Sequence, residues 1–164
     1  MTTIVAVETP AGITFAFDSL VSDGTRTFET PQQKVIHNHG VTYGVAGNIL
    51  AVNLITHSEL PTPSSNSGAQ WVTLVLAPAL AEVLTDLKRD DGYGTIILAA
   101  VNGRIYDFGT SLEWTRDSTG RYAIGSGAQY AFGALSAGAT PLGAVEIAKT
   151  HDSGTGGTIR EVRA

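Results

Sequence analysis

Apolar and polar positions alternate almost from the first residue. In TTIVAVETPAGITFAFDS (2–19), two runs of strand character flank the turn cluster Thr9-Pro10-Ala11-Gly12, which predicts a hairpin. A polar, irregular stretch follows, SDGTRTFETPQQ. Two further short strands are expected in KVIHNH and VTYGVAG, separated by Gly40. The period then changes. Ile49, Val52, Leu54 and Ile55 recur at helical spacing within residues 48–60. PTPSSNSGAQ reads as a loop. Val72, Val75, Leu76, Ala79, Leu80, Val83, Leu84 and Leu87 form one wide stripe, with Pro78 expected to bend or break the helix. That stripe is core first, although such a helix could also serve a ring interface.

Strands return in TIILAAVNGRIYDFG, where Asn102-Gly103 is a hairpin signal. A second hairpin is expected in SLEWTRDSTGRYAIGSG, turning at residues 117–120. A small-residue helix starts near Gly127. Thr140-Pro141 opens another that runs through Lys149, and TIREV closes the chain as a strand. Strands and helices come in blocks, which indicates an α+β layered domain rather than alternating βαβ units. Two sheets held between two helical layers would use every apolar face.

Composition narrows the function classes. At 164 residues the chain is one domain by size, with room for a substantial core. Only 15% of residues are charged against 43% hydrophobic, which suggests surface covered by layers or by neighbouring subunits. The net charge of -5 and the lack of a basic stretch argue against nucleic acid as a partner. There is no cysteine, hence no disulfide, thiol nucleophile or thiolate metal site. Residues 71–87 carry Glu82, Thr85 and Asp86, too polar for a membrane span. No secretory signal pattern opens the chain, so the expected location is cytoplasmic. His37 and His39 share a strand face but lack a third metal ligand nearby, so no metal site is expected.

The candidate chemistry lies at Thr2. With Met1 removed, Thr2 carries a hydroxyl and a free amine on adjacent carbons. An α-amine has a reference pKa of about 7.7–8.0 and can take the hydroxyl proton directly or through a water. TTIVAV at the start, FDS at Asp18, QKV at Lys34, GVAGN at Gly47, AIGSGAQYA at Ser126 and HDSGTGG near the end resemble the proteasome β-subunit family, most closely its HslV-type bacterial branch. The intervals from Thr2 to Asp18 and from Asp18 to Lys34 are each sixteen residues, as in that family.

The resemblance implies a four-layer αββα fold of the N-terminal nucleophile hydrolase type. It implies Thr2 as nucleophile, Lys34 as a neighbouring ammonium and Asp18 as its partner. It further implies the Gly47 N–H as oxyanion donor, Ser126 as partner of the Thr2 amine, and Asp152 with Thr155 as a buttress. Thr155 stands where the family pattern Asp-x-x-Ser has serine. Ala-Gly-Asn replaces Ala-Gly-Gly at the oxyanion segment. Leu20, Val21 and Val45 are expected to form an apolar pocket that favours apolar residues before the scissile bond.

The same resemblance implies stacked homo-oligomeric rings acting on peptides or unfolded proteins, fed by a separate ATP-driven unfoldase. This chain itself has no ATP motif and needs no cofactor, with room left for a structural cation. Two rivals remain at the level of sequence: another N-terminal nucleophile amidohydrolase, and a non-enzymatic ring-forming homologue.

Overall fold

The computed structural model describes residues 1–164. The strands are β1 (Thr3–Thr9), β2 (Gly12–Asp18), β3 (Leu20–Ser22), β4 (Thr27–Glu29), β5 (Val35–Asn38), β6 (Val41–Gly47), β7 (Thr95–Val101), β8 (Arg104–Phe108), β9 (Trp114–Thr115), β10 (Arg121–Gly125) and β11 (Ile159–Arg163). The helices are α1 (Ile49–His57), α2 (Ala69–Trp71), α3 (Ala77–Val83), α4 (Ala128–Ser136) and α5 (Pro141–His151). One sheet has the order β10-β1-β2-β11, a second β5-β6-β7-β8-β9, and β3 and β4 form a separate hairpin.

The alternation along the strands explains the packing. Ile4, Ala6, Phe15 and Phe17 pack with Leu98, Ile105 and Val35 of the second sheet in one apolar cluster. The residues between them, Val5 and Ala16, belong to another cluster with Ala131, Leu135, Val145 and Ala148 of α4 and α5. On the second sheet, Tyr43, Val45, Ile97 and Phe108 pack with Val52 and Ile55 of α1 and with Leu76, Leu80 and Leu84. The architecture is mixed α/β, two sheets with helices against them. No helix is long and apolar enough to cross a membrane.

Local chemistry sets the element ends. Asn48 caps α1, its side chain accepting from the Leu50 N–H at 2.9 Å. Thr140 caps α5 through the Gly143 N–H at 3.1 Å, with Pro141 in the first turn. The expected break near Pro78 appears as a π-helical turn over Val72–Leu76, after which α3 starts with Pro78 in its first turn. A proline has no N–H to give, and widening the preceding turn removes the demand for one. Of the stripe, Val72, Leu76, Leu80, Leu84 and Leu87 are buried, whereas Val75 is exposed. In α1 the buried residues are Ala51, Val52 and Ile55, while Ile49 is exposed.

Two expectations are corrected. The stretch read as irregular contains the β3–β4 hairpin, with Val21 opposite Phe28. The strands around residues 117–120 do not pair with each other: β9 pairs with β8, and β10 with β1 in the other sheet. The turn exists, with the Gly120 N–H bonded to the Asp117 carbonyl at 3.2 Å, but it carries the chain between sheets.

Candidate active site

Three strand ends meet at one place. β1 begins just after Thr2, β2 ends at Asp18, and β5 begins just after Lys34. The Lys34 ammonium lies 2.8 Å from Asp18 Oδ1, and the two side chains are 2% and 0% exposed. It also donates to the Leu20 carbonyl at 2.6 Å. Asp18 accepts further from the backbone N–H groups of Thr3 (3.0 Å), Leu20 (3.2 Å) and Gly156 (3.0 Å). A buried carboxylate with four donors is well satisfied. Burial pulls the Lys34 pKa below the ordinary lysine value, Asp18 opposes that shift, and Arg160 adds to it.

A second network joins β1 to the segment after α5. Ser126 donates to Asp152 Oδ2 at 2.7 Å, and Thr155 donates to the same oxygen at 2.6 Å. With those protons committed, the hydroxyl lone pairs face β1. Ser126 Oγ accepts from the Thr2 N–H at 3.3 Å, and Thr155 Oγ1 accepts from Thr3 Oγ1 at 2.5 Å. Desolvation would raise the Asp152 carboxyl. The hydrogen bonds from Thr155, Ser126 and the Gly154 N–H outweigh it and hold the group below the ordinary aspartate value. Threonine at 155 thus retains the hydroxyl that the pattern requires.

Gly47 ends β6 with φ +115°, and a Cβ there would run into the Gly94 carbonyl oxygen. That close approach requires glycine. The next residue, Asn48, bonds its N–H to the same carbonyl at 3.3 Å and caps α1, so the Ala-Gly-Asn departure supports the helix start. A cavity of about 240 Å³ opens beside Thr2, Lys34 and Gly47, its apolar wall made by Val21, Val45, Ile49 and Val52.

The structure therefore brings Thr2, Asp18, Lys34, Gly47, Ser126, Asp152 and Thr155 into one region. Val21 and Val45 line the cavity. Leu20 does not: its side chain lies over Gly156, and its carbonyl serves Lys34. Ile49 and Val52 are wall residues that the sequence does not single out, because their helical spacing within residues 48–60 marks a helix and not which of its residues face a cavity. Sequence reasoning also missed Thr3, whose hydroxyl completes the Thr155 network. His37 and His39 stand apart, bonded to Thr42 (3.1 Å) and beside Glu59 (3.3 Å).

No protein-family model matches the chain, and no curated protein matches it. Solved structures do. The BPH protein of Thiobacillus denitrificans in complex with epoxomicin is similar over 98% of this chain and 97% of its own, with a TM-score of 0.75 and 20% identity. A second structure of that protein gives 0.72 and 24%, over 98% of this chain and 96% of its own. Eukaryotic HslV from Trypanosoma brucei gives 0.69 and 18%, over 99% of this chain and 100% of its own. The fold is accordingly of the HslV type, in agreement with the resemblance read from the sequence motifs.

Proposed function

We propose that this chain is a threonine-type endopeptidase whose nucleophile is Thr2, exposed as the N-terminus by removal of Met1. The observation that carries the reading is the convergence of Thr2, the buried Lys34–Asp18 pair and Gly47 on one cavity. Three apolar clusters in succession support a single domain with four-layer αββα packing.

With Met1 present, the Thr2 nitrogen is an amide and cannot act as a base. Once freed, the amine takes the Thr2 hydroxyl proton while Oγ1 attacks the substrate carbonyl. The Lys34 ammonium favours the ionised hydroxyl, and Asp18 holds it in place. The Gly47 N–H receives the charge on the carbonyl oxygen. Collapse breaks the C–N bond, the amine of the leaving peptide takes the proton, and an ester on Thr2 remains. Water then hydrolyses the ester with the Thr2 amine again as base. Ser126, oriented by Asp152, accepts a hydrogen bond from that amine. Val21, Val45, Ile49 and Val52 favour an apolar side chain before the scissile bond.

The low charged fraction and the exposed Leu74, Phe28, Leu142 and Ile147 support a homo-oligomer, read as stacked rings. A separate ATP-driven unfoldase in the cytoplasm would supply substrate. Hydrolysis of a peptide with leucine before the cleaved bond tests the function. Activity in the assembled protein that survives in Thr2→Ser and vanishes in Thr2→Ala supports it. Unchanged activity in Thr2→Ala, or none in the Met1-free protein, overturns it.

A further inference from the structure

The β3–β4 hairpin borders the site: Val21 and Ser22 on it line the cavity. Most of the hairpin is exposed, Phe28 included, and its apolar contact with the body of the fold is Leu20 over Gly156. Its first strand is held by the Leu20 backbone, bonded to Asp18, Lys34 and Gly156, and its second strand is held at its end by Glu29. Glu29 Oε2 accepts three hydrogen bonds, from Ser19 Oγ (3.1 Å), the Thr158 N–H (3.1 Å) and Thr158 Oγ1 (3.0 Å). The donors come from the segment before β3 and the segment before β11, so one oxygen ties the last residue of β4 to both. Ser19 Oγ in turn accepts from the Thr158 N–H at 2.8 Å. Gly157, at φ +70°, lies so close that a Cβ would meet Ser19 Oγ and Glu29 Cγ. Lys149 anchors the same turn by donating to the Gly157 carbonyl at 2.8 Å.

We propose that Glu29 is a positioning residue that pins the β3–β4 hairpin as the cavity wall, setting how tightly a peptide is bound rather than how fast the bond is cut. The proposal rests on the peptidase reading for its functional half. Glu29 is distant in chemistry from the nucleophile: it touches neither Thr2 nor Lys34. Its influence reaches the site through Val21 and Ser22. Because all three donors converge on a single oxygen, the pin needs an acceptor of the right length rather than a charge. Glutamine supplies one through its amide oxygen, alanine supplies none, and aspartate is one methylene too short.

The test uses the Met1-free protein with Glu29→Ala, Glu29→Asp and Glu29→Gln. Steady-state peptide hydrolysis gives KM and kcat, and hydrogen exchange reads residues 20–29. A wall held closed only part of the time weakens apparent affinity by the closed fraction, so Glu29→Ala and Glu29→Asp are expected to raise KM about threefold or more with kcat little changed. Exchange in residues 20–29 rises in both, and Glu29→Gln restores both readouts. Unchanged exchange in Glu29→Ala, a loss confined to kcat, or a Glu29→Gln variant as impaired as Glu29→Ala overturns the proposal. A wild-type protein without activity refutes the peptidase reading alone, because hydrogen exchange still decides whether Glu29 pins the hairpin.

Discussion

Asp18→Asn should be among the most costly conservative changes in the chain, and the structure gives the size of the effect. The carboxylate is the only anion bonded to the Lys34 ammonium, and both side chains are removed from water. Asparagine keeps one acceptor oxygen. It sets an amide NH₂ against part of the donor set formed by Lys34 and the Thr3, Leu20 and Gly156 N–H groups. Breaking a buried ion pair from one side costs about 3–5 kcal/mol. At about 2–4 °C per kcal/mol for a chain of this size, the melting temperature falls by roughly 6–20 °C.

The sign of the pH dependence follows from Lys34. Its folded pKa is already below the ordinary 10.5 because of burial, and losing Asp18 lowers it further. The variant's deficit is complete below that folded pKa. It shrinks as pH rises toward the unfolded value, since neutral Lys34 is no longer an unpaired buried charge. Lys34→Met removes that charge outright, so Asp18→Asn/Lys34→Met should regain much of the lost stability. Thermal melts of the two single variants and the double variant, at pH 6 and pH 9, form the assay. A loss under about 1 kcal/mol for Asp18→Asn, or single-variant costs that simply add, would refute the reasoning.

Other outcomes follow from the same geometry. Gly47→Ala drives a Cβ into the Gly94 carbonyl, so it should abolish peptide hydrolysis and lower the melting temperature, read by activity and calorimetry. Asp152 is held below its ordinary value of 3.8 by its hydrogen bonds, so its stabilising contribution is present above about that pH and is lost as pH falls through the lower folded pKa. Acid titration of Asp152→Asn by circular dichroism should show a flatter stability profile below pH 4 than the parent. Asn48→Ala removes the α1 cap and should cost about 1 kcal/mol in denaturant melts, whereas Asn48→Asp should retain most of the stability.

The sequence carried the hairpins turning at residues 9–12 and 102–103, the Thr140-Pro141 start of α5, and the blockwise order of strands and helices. These are local: Asn102 and Gly103 turn the chain at φ 48° and 75° whatever surrounds them. Pairing between distant strands was less legible. The turn at residues 117–120 looked like a hairpin because local chemistry does not say whether two flanking strands join the same sheet. The β3–β4 hairpin was hidden because its residues lack an apolar alternation, and its bonds to Thr158 come from far along the chain. Within the site, Asp18, Lys34, Ser126 and Asp152 stood out through the motifs that resemble the proteasome β-subunit family. Leu20 misled because an apolar residue next to the site was assigned by its side chain, whereas its carbonyl does the work there.

In the proposed mechanism Thr2, freed of Met1, is the nucleophile. Epoxomicin is the compound in the Thiobacillus denitrificans complex, which makes it the probe for this chain. Intact mass before and after incubation with it tests the claim most directly. The expected result is a chain lacking Met1 that gains one adduct, with none on Thr2→Ala. A Met1-free chain that gains no adduct, or an adduct that persists in Thr2→Ala, would contradict it.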